Sequence, residues 1–149
     1  MPRGCLFCEL AADRTRTPHR IAESPRAIAL LSVDPASRGH TVIFPRRHFS
    51  DLSTIPETEW LAIGRLTLRV VEQLRRSLGH RGEYIYCGSW TRPDRKYPHL
   101  HVHVIPRGRR LARGFDPWWH PPPEGAASIP ELAALAERIR LSPRSARRR

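Results

Sequence analysis

The segment from residue 99 to 106 alternates histidine with aliphatic residues in the order His-Leu-His-Val-His-Val-Ile-Pro. Because successive side chains of a β-strand point to opposite faces, this period of two predicts a strand with His99, His101 and His103 on one face. Aliphatic side chains on the other face are expected to pack on the core: Leu100, Val102 and Val104. Pro106 lacks an N–H and should end the strand. The alternative interpretation is a solvated histidine-rich strand or an incidental metal-binding tract.

This pattern resembles the signature of the histidine-triad (HIT) family of nucleotide hydrolases and transferases, His-φ-His-φ-His-φ-φ with φ apolar. The match extends to the final apolar position, Ile105, and is complete. The resemblance covers about residues 5 to 107. It implies an α+β fold, in which one long helix lies against a five-stranded antiparallel sheet, and a homodimer that joins two sheets.

The rest of the chain has patterns for the elements of such a fold. Strands are predicted in four apolar runs bounded by Pro, Gly and polar residues, at residues 21–23, 27–33, 40–44 and 83–87. A short helix is predicted over residues 5–11. A long amphipathic helix should begin near residue 56, with Ser53 or Thr54 as its cap, and end at Gly79. We expect the strands to follow one another as a meander.

Three regions follow from these patterns. Residues 1–107 correspond to the HIT domain, and residues 108–141 form an extension that is expected to pack on or near the site. A short C-terminal helix, Ile129–Leu141, is predicted behind Ser128. Residues 142–149 are rich in arginine and are expected to form a disordered basic tail.

The formal net charge of +12 would ordinarily indicate a polyanionic partner such as a nucleic acid. However, Lys96 is the one lysine among 26 basic residues, which is typical of GC-rich coding, and several arginines fall in the tail. Nucleic acid is therefore an alternative partner and not the favoured one. The sequence has no apolar run of membrane-spanning length and no signal-peptide pattern, so we expect a cytoplasmic protein with no membrane partner.

The middle histidine, His101, is the candidate nucleophile. In the family that the chain resembles, this histidine attacks the α-phosphorus of a nucleotide and carries the nucleotidyl group until water or another acceptor removes it. A neutral imidazole, with an ordinary pKa of about 6.5, is nucleophilic at pH 7 without a separate base. His103 is the candidate for contact with the phosphate or the leaving group.

Residues 35–40 match the Pro-x-x-x-Gly-His element of the family, which places His40 beside the active site. Alternatively, His40 only bonds a carbonyl at the start of a strand. Many members have an acidic residue where this chain has Ser32, and the acid here is displaced to Asp34. The resemblance implies that three neighbouring residues contact the substrate: Leu30, Ser32 and Val33.

The loop before the histidine segment departs from the family pattern. Where members commonly have Gly-Gln-Ser, an alignment without a gap puts Arg95 in place of Gln and Lys96 in place of Ser. Two cations at the phosphate favour a highly charged substrate, such as a dinucleoside polyphosphate, over a nucleoside monophosphate ester or phosphoramidate. Arg95 and Lys96 are therefore predicted to bind substrate.

Two residues separate Cys5 from Cys8. This spacing is compatible with a metal site, a redox pair or two small buried side chains. Some bacterial HIT proteins combine such a pair with the histidine of a Pro-basic-basic-His element and with the first histidine of the triad. The matching residues are His48 and His99. The resemblance therefore implies a structural Zn²⁺ with four protein ligands, a closed site that does not activate water.

The leading prediction is a nucleotide hydrolase or nucleotidyltransferase that acts at the α-phosphate through a nucleotidyl-histidine, on dinucleoside polyphosphates or nucleoside phosphoramidates and esters. Two alternatives belong to different classes. Removal of nucleotides from nucleic-acid ends, as in the aprataxin branch, agrees with the basic charge and with Arg109, Arg110 and Arg113. A non-catalytic nucleotide-binding protein agrees with the altered loop.

Overall fold

The computed structural model describes residues 4–13, 16–89, 98–107 and 127–142. In chain order their elements are α1 (Leu6–Ala12), β1 (Arg20–Glu23), β2 (Ala27–Leu31), β3 (Thr41–Pro45), α2 (Glu57–Leu78), β4 (Glu83–Gly88), β5 (His101–Pro106) and α3 (Ile129–Leu141). Each helix and strand expected from the sequence is present, with ends that differ by a few residues. The histidine strand begins at His101, so His99 lies just before it. The predicted basic tail, apart from Ser142, lies outside the described residues.

The five strands form one antiparallel sheet in the order β1-β2-β3-β5-β4, which confirms the predicted α+β architecture. The predicted meander is wrong in one respect, because β5 lies between β3 and β4. After β3 the chain passes through α2 and returns to the sheet at its far edge as β4, and β5 then fills the gap. The histidine strand is consequently central, with His103 opposite Val42 of β3 and Tyr86 of β4.

One face of the sheet forms the main core and carries the aliphatic side chains of the histidine segment, Leu100, Val102 and Val104. Apolar side chains of α2 recur at spacings of three and four and cover this face: Ile63, Leu66, Val70 and Leu74. Buried side chains of α3 join the same cluster: Leu132, Ala136 and Ile139. The C-terminal helix is therefore part of the core beside α2. Among the described helices, none is both long and apolar enough to cross a membrane.

The other face carries the histidines, and α1 covers part of it. Phe7 of α1 packs on Phe44, with ring centroids 4.6 Å apart, and its ring centroid is 5.2 Å from that of His101. The guanidinium of Arg20 donates a hydrogen bond of 3.2 Å to the carbonyl of Leu10 and so ties α1 to β1. The alternative of a solvated histidine-rich strand is wrong, because this layer is largely buried.

The long helix α2 ends as its sequence predicts. Gly79 adopts a left-handed conformation with φ of 69°, and its N–H donates to the carbonyl of Arg75 at 2.9 Å. The predicted cap at the start of the helix is wrong. Pro56 is the N-cap residue and no side chain caps the helix. Ser53 and Thr54 lie in the preceding turn, where the Ser53 N–H donates to the Asp51 carboxylate and the Thr54 hydroxyl donates to the Asp51 carbonyl.

The start of α3 follows its local sequence. The Ser128 hydroxyl accepts a hydrogen bond of 3.4 Å from the Glu131 N–H, and the Glu131 carboxylate accepts one of 3.0 Å from the Ser128 N–H. These reciprocal bonds form a capping box. The Ser128 hydroxyl also donates a hydrogen bond of 2.6 Å to the Glu131 carboxylate, and this bond, together with the one from the Ser128 N–H, lowers the pKa of Glu131 because both favour its charged form. The helix is thus fixed at its first turn before its apolar side packs on the core.

Truncation of Leu132 tests whether α3 is part of the cooperative core. This side chain is 4% exposed, so Leu132→Ala should lower the free energy of unfolding by about 2–5 kcal/mol through lost burial and a residual cavity. Leu141→Ala removes the same atoms from a side chain that is 72% exposed and should change stability little. Urea denaturation measures both, and equal small effects would contradict the placement of α3 in the core.

Candidate active site and metal centre

A cavity of about 310 Å³ lies on the histidine face of the sheet, within the size range of small-molecule sites. Its floor follows one row across the sheet, in which Tyr86 pairs with His103, His103 with Val42, and Val42 with Leu30. The structure brings six of the residues predicted at the substrate to this cavity: Leu30, Ser32, Val33, His40, His101 and His103. Arg95 and Lys96 fall outside the described residues, as do Arg109, Arg110 and Arg113.

The ring of His101 is held in one tautomer by the backbone of the preceding histidine. Its Nδ1 lies 2.6 Å from the carbonyl oxygen of His99, so Nδ1 carries the proton and donates it. Burial lowers the pKa of His101, and the ring is therefore neutral at pH 7. The remaining nitrogen, Nε2, consequently has a free lone pair, which is the state that a nucleophile requires.

Gly88 of β4 is a site residue that the sequence analysis missed. It is directly opposite His101 in the sheet, and a Cβ added to it would lie 2.9 Å from Cε1 and 3.0 Å from Nε2 of that ring. These distances are shorter than the van der Waals contact distances of carbon with carbon or nitrogen. Gly88 therefore gives the imidazole room to lie against β4. The strand pattern of residues 83–87 could not indicate this contact, because it depends on the partner strand.

His40 and His103 form a second ordered pair. The N–H of Ala36 donates to Nδ1 of His40 at 3.1 Å, so the neutral ring has its proton on Nε2, which lies 2.8 Å from Nδ1 of His103. His103 accepts there and carries its own proton on Nε2. Burial lowers the pKa of His40 to about 4 and that of His103 to about 2. His40 thus bonds an amide and a second imidazole, and no bond from its ring to a carbonyl is found among the described residues.

Two further contacts belong to the walls of the cavity. Tyr86 stacks on His103, with ring centroids 4.4 Å apart and an angle of 13° between the ring planes. Asp34, the displaced acid, lines the cavity together with Ser32, whose hydroxyl donates to the Asp34 carbonyl at 3.1 Å. The side chain of Asp34 is exposed, so it brings a solvated carboxylate to the rim.

A second cluster joins the start of the chain to the histidine strand. Cys5 and Cys8 belong to the N-terminal turn of α1, His48 follows β3, and His99 precedes β5. Their ligand atoms all lie within 4.8 Å of one another, so these four residues could hold a metal ion. The structure therefore brings together all four predicted ligands, which are up to 94 residues apart in the sequence.

The distances in this cluster fit a tetrahedral ion. Sγ of Cys5 lies 3.4 Å from Nδ1 of His99, and Sγ of Cys8 lies 3.5 Å from Nδ1 of His48. An ion with metal–sulfur distances of about 2.3 Å and metal–nitrogen distances of about 2.0–2.1 Å has sulfur–nitrogen edges of about 3.5 Å. The donor set of two thiols and two imidazoles has the composition that structural zinc sites use.

The protonation pattern also agrees with a ligand role. Nε2 of His99 donates to the Pro45 carbonyl at 2.9 Å, so its lone pair is on Nδ1, which faces the cysteines. Burial lowers the pKa of His99 to about 4, which keeps the ring neutral at pH 7. Burial and the nearby Cys5 raise the pKa of Cys8 to about 11. A bound cation would reverse that shift, because it stabilises thiolates.

Comparison with known proteins agrees with this geometry. The adenosine 5'-monophosphoramidase hnt1 of Schizosaccharomyces pombe is 23% identical over 136 residues, which are 91% of this chain and 96% of that protein. A histidine triad nucleotide-binding protein of Sulfolobus tokodaii superposes with a TM-score of 0.74 at 22% identity, over 93% of this chain and 91% of the other. A zinc-bound histidine triad family protein of Mycobacterium smegmatis superposes with a TM-score of 0.68 at 23% identity, over 91% and 93%.

The family model described as the HIT domain matches residues 14–110, which include the histidine strand, the Pro-x-x-x-Gly-His element and all five strands of the sheet. The match thus spans the whole described wall of the cavity apart from α1. On the strength of this match and of the fold, the chain belongs to the HIT domain family.

Proposed function

We propose that the protein is a nucleotide hydrolase or nucleotidyltransferase in which His101 attacks the α-phosphorus. The observation that carries the proposal is the bond from Nδ1 of His101 to the His99 carbonyl, because it leaves Nε2 as a free nucleophile at the cavity. A bond forms between Nε2 and phosphorus while the bond to the leaving group breaks. Water or another acceptor then displaces the imidazole and releases the nucleotide.

His103 is proposed to contact the phosphoryl oxygens or the leaving group. Its Nδ1 is occupied by His40, so the proton on Nε2 is the one available for donation to developing negative charge. His40 acts as a positioning residue, because the Ala36 amide fixes its tautomer and thereby that of His103. Neither ring needs to change protonation state before substrate binds, since burial keeps both neutral at pH 7.

The substrate is proposed to place its nucleoside over the apolar part of the cavity, at Leu30 and Val33. Ser32 and the rim carboxylate of Asp34 are proposed to bind the ribose hydroxyls, since both residues line the cavity. A nucleoside phosphoramidate is the first substrate to test, because a relative of 23% identity is an adenosine 5'-monophosphoramidase. Preference for dinucleoside polyphosphates, inferred from Arg95 and Lys96, stays a prediction from the sequence.

The four-residue cluster is proposed to hold a structural zinc ion. A bound zinc would supply charge for two thiolates and a rigid link between α1 and the histidine strand. His99 belongs to both sites, since its ring faces the cysteines and its carbonyl accepts from His101. The zinc-bound relative of Mycobacterium smegmatis supports the identity of the metal. A pair of cysteines used for a metal rather than for a disulfide agrees with the proposed cytoplasmic location.

A homodimer is proposed through the edge of the sheet at β4. This strand pairs with β5 on one side, and Ile85 in its middle is 52% exposed. Antiparallel pairing of two β4 edges would pair the backbone groups of this edge and join two sheets. The molar mass in solution decides between this arrangement and a monomer.

Loss of His101 should abolish the covalent intermediate. Incubation with an α-³²P-labelled nucleoside phosphoramidate should leave acid-labile, base-stable label on the wild type and none on His101→Ala, with turnover reduced at least about a thousandfold. His80→Ala is the control, because that histidine does not line the cavity. Label that survives on His101→Ala refutes the nucleophile, whereas turnover of adenylated DNA ends alone would favour the nucleic-acid alternative.

Addition of one methyl group at Gly88 should disturb the nucleophile without removing any reacting atom. In Gly88→Ala the His101 ring must move by several tenths of an ångström, and we expect kcat to fall by about tenfold to a hundredfold. Gly64→Ala is the matched control, because a Cβ there meets nothing within 4 Å on an exposed turn of α2. That change should leave kcat unaltered and raise stability slightly. Equal activity of the two variants would contradict the proposed ring position.

Replacement of one cysteine tests the metal centre. Elemental analysis should find about one zinc per chain in the wild type and in Cys87→Ser, whose thiol is outside the cluster, but little in Cys8→Ser. Cys8→Ser should also lose the drop in melting temperature that a chelator causes in the wild type. A metal-free wild type with a melting temperature that ignores chelators would show that the cysteines are only buried side chains.

A further inference from the structure

His19 is a buried polar residue that the proposed mechanism does not use. It is 4% exposed and lines the same cavity as the catalytic histidines. Its Nδ1 is buried and has no hydrogen-bond partner within the described part of the chain. A buried ring nitrogen without a partner is rare in proteins, since it has lost its bonds to water without replacement. Nδ1 is also closed off from the cavity, so a ligand there can bond this ring only through its other nitrogen, Nε2.

The sheet register shows where His19 lies relative to the reacting centre. The row that forms the cavity floor continues from His103 through Val42 and Leu30 to the start of β1, where Leu30 pairs with Arg20. His19 immediately precedes β1, and its carbonyl accepts from the N–H of Leu31 at 3.1 Å. Three interstrand spacings separate β1 from β5, a backbone distance of about 14 Å. His19 thus marks the end of the cavity opposite the nucleophile.

A nucleotide has a fixed order of groups, and this order selects the group that His19 can meet. With the α-phosphorus at His101, the ribose follows toward β3 and β2, and the nucleobase reaches the end of the cavity beside β1. Besides the histidines, the cavity is lined largely by apolar side chains, which suit the flat faces of a base: Leu6, Phe7, Leu10, Leu30 and Val42. An apolar slot alone does not distinguish one base from another, because bases differ chiefly in the polar groups at their edges.

We propose that His19 hydrogen-bonds the polar edge of the nucleobase and determines which base the enzyme prefers. This inference rests on the proposed function for the position of the phosphate. Burial, aided by the neighbouring Arg20, lowers the pKa of His19, so the ring is neutral at pH 7, and its Nε2 is a donor in one tautomer and an acceptor in the other. The backbone bond to Leu31 holds the residue in place, so the contact is preorganised. His19 touches no reacting atom and is a specificity residue.

The test compares the wild type with His19→Leu and His19→Gln. Dissociation constants for adenosine, guanosine, cytidine and uridine 5'-monophosphates are measured by calorimetry, with ribose 5-phosphate as a ligand without a base. The wild type should bind its preferred base about tenfold or more tightly than its least favoured one. In His19→Leu this ratio should fall toward one, and His19→Gln, which keeps a donor and an acceptor, should restore part of it. Ribose 5-phosphate should bind all three proteins equally.

Several results would overturn the assignment. Equal base ratios in the wild type and His19→Leu, no base preference in the wild type, or weakening that extends to ribose 5-phosphate would show that His19 only fills space. A wild type that binds none of the four nucleotides would also overturn it. Rates on the matching phosphoramidates separate the two proposals, because base-selective binding without turnover refutes the proposed function while it supports the role of His19.

Discussion

The bond between the Nδ1–H of His101 and the carbonyl of His99 is the contact on which the candidate site depends. At 2.6 Å it fixes the tautomer of the central imidazole within a single strand segment, and no distant residue has to supply the partner. The same residue, His99, directs its ring to the cysteines and to the Pro45 carbonyl. The orientation of one ring and the anchoring of α1 therefore meet at one position in the chain.

Burial sets the chemistry of this site. The aliphatic residues of the histidine segment pack against α2, and the histidines lie under α1, so both faces of β5 are removed from water. Desolvation disfavours the charged imidazolium and holds the ring of His101, like those of His40 and His103, in the neutral form. Hydrogen bonds then decide which nitrogen carries each proton. The proposed nucleophile and the proposed donor thereby differ in tautomer although both are histidines.

Local sequence patterns were sufficient for most of the fold. The period of two in the histidine strand, the apolar stripe of α2, the glycine at its end and the helix start behind Ser128 each act over a few residues, and each is found in the structure. The start of α2 was predicted wrongly, because the helix follows Pro56 without a side-chain cap and the Thr54 hydroxyl donates to the Asp51 carbonyl in the preceding turn. A threonine hydroxyl can cap a helix or bond to the backbone of a turn, and the residue type alone does not show which of the two bonds forms.

By itself the sequence determined which face of the histidine strand packs on the core, which residues could be nucleophile and metal ligands, and the α+β class. These properties follow from side-chain alternation and from residue chemistry within short segments or recognisable motifs. Tertiary structure decided the central place of β5 in the sheet, the close approach of Gly88 to His101, the pairing of His40 with His103 and the burial of His19 at the far end of the cavity. Each of these depends on strand order and register between residues far apart in the chain, and those are set when all the layers pack together.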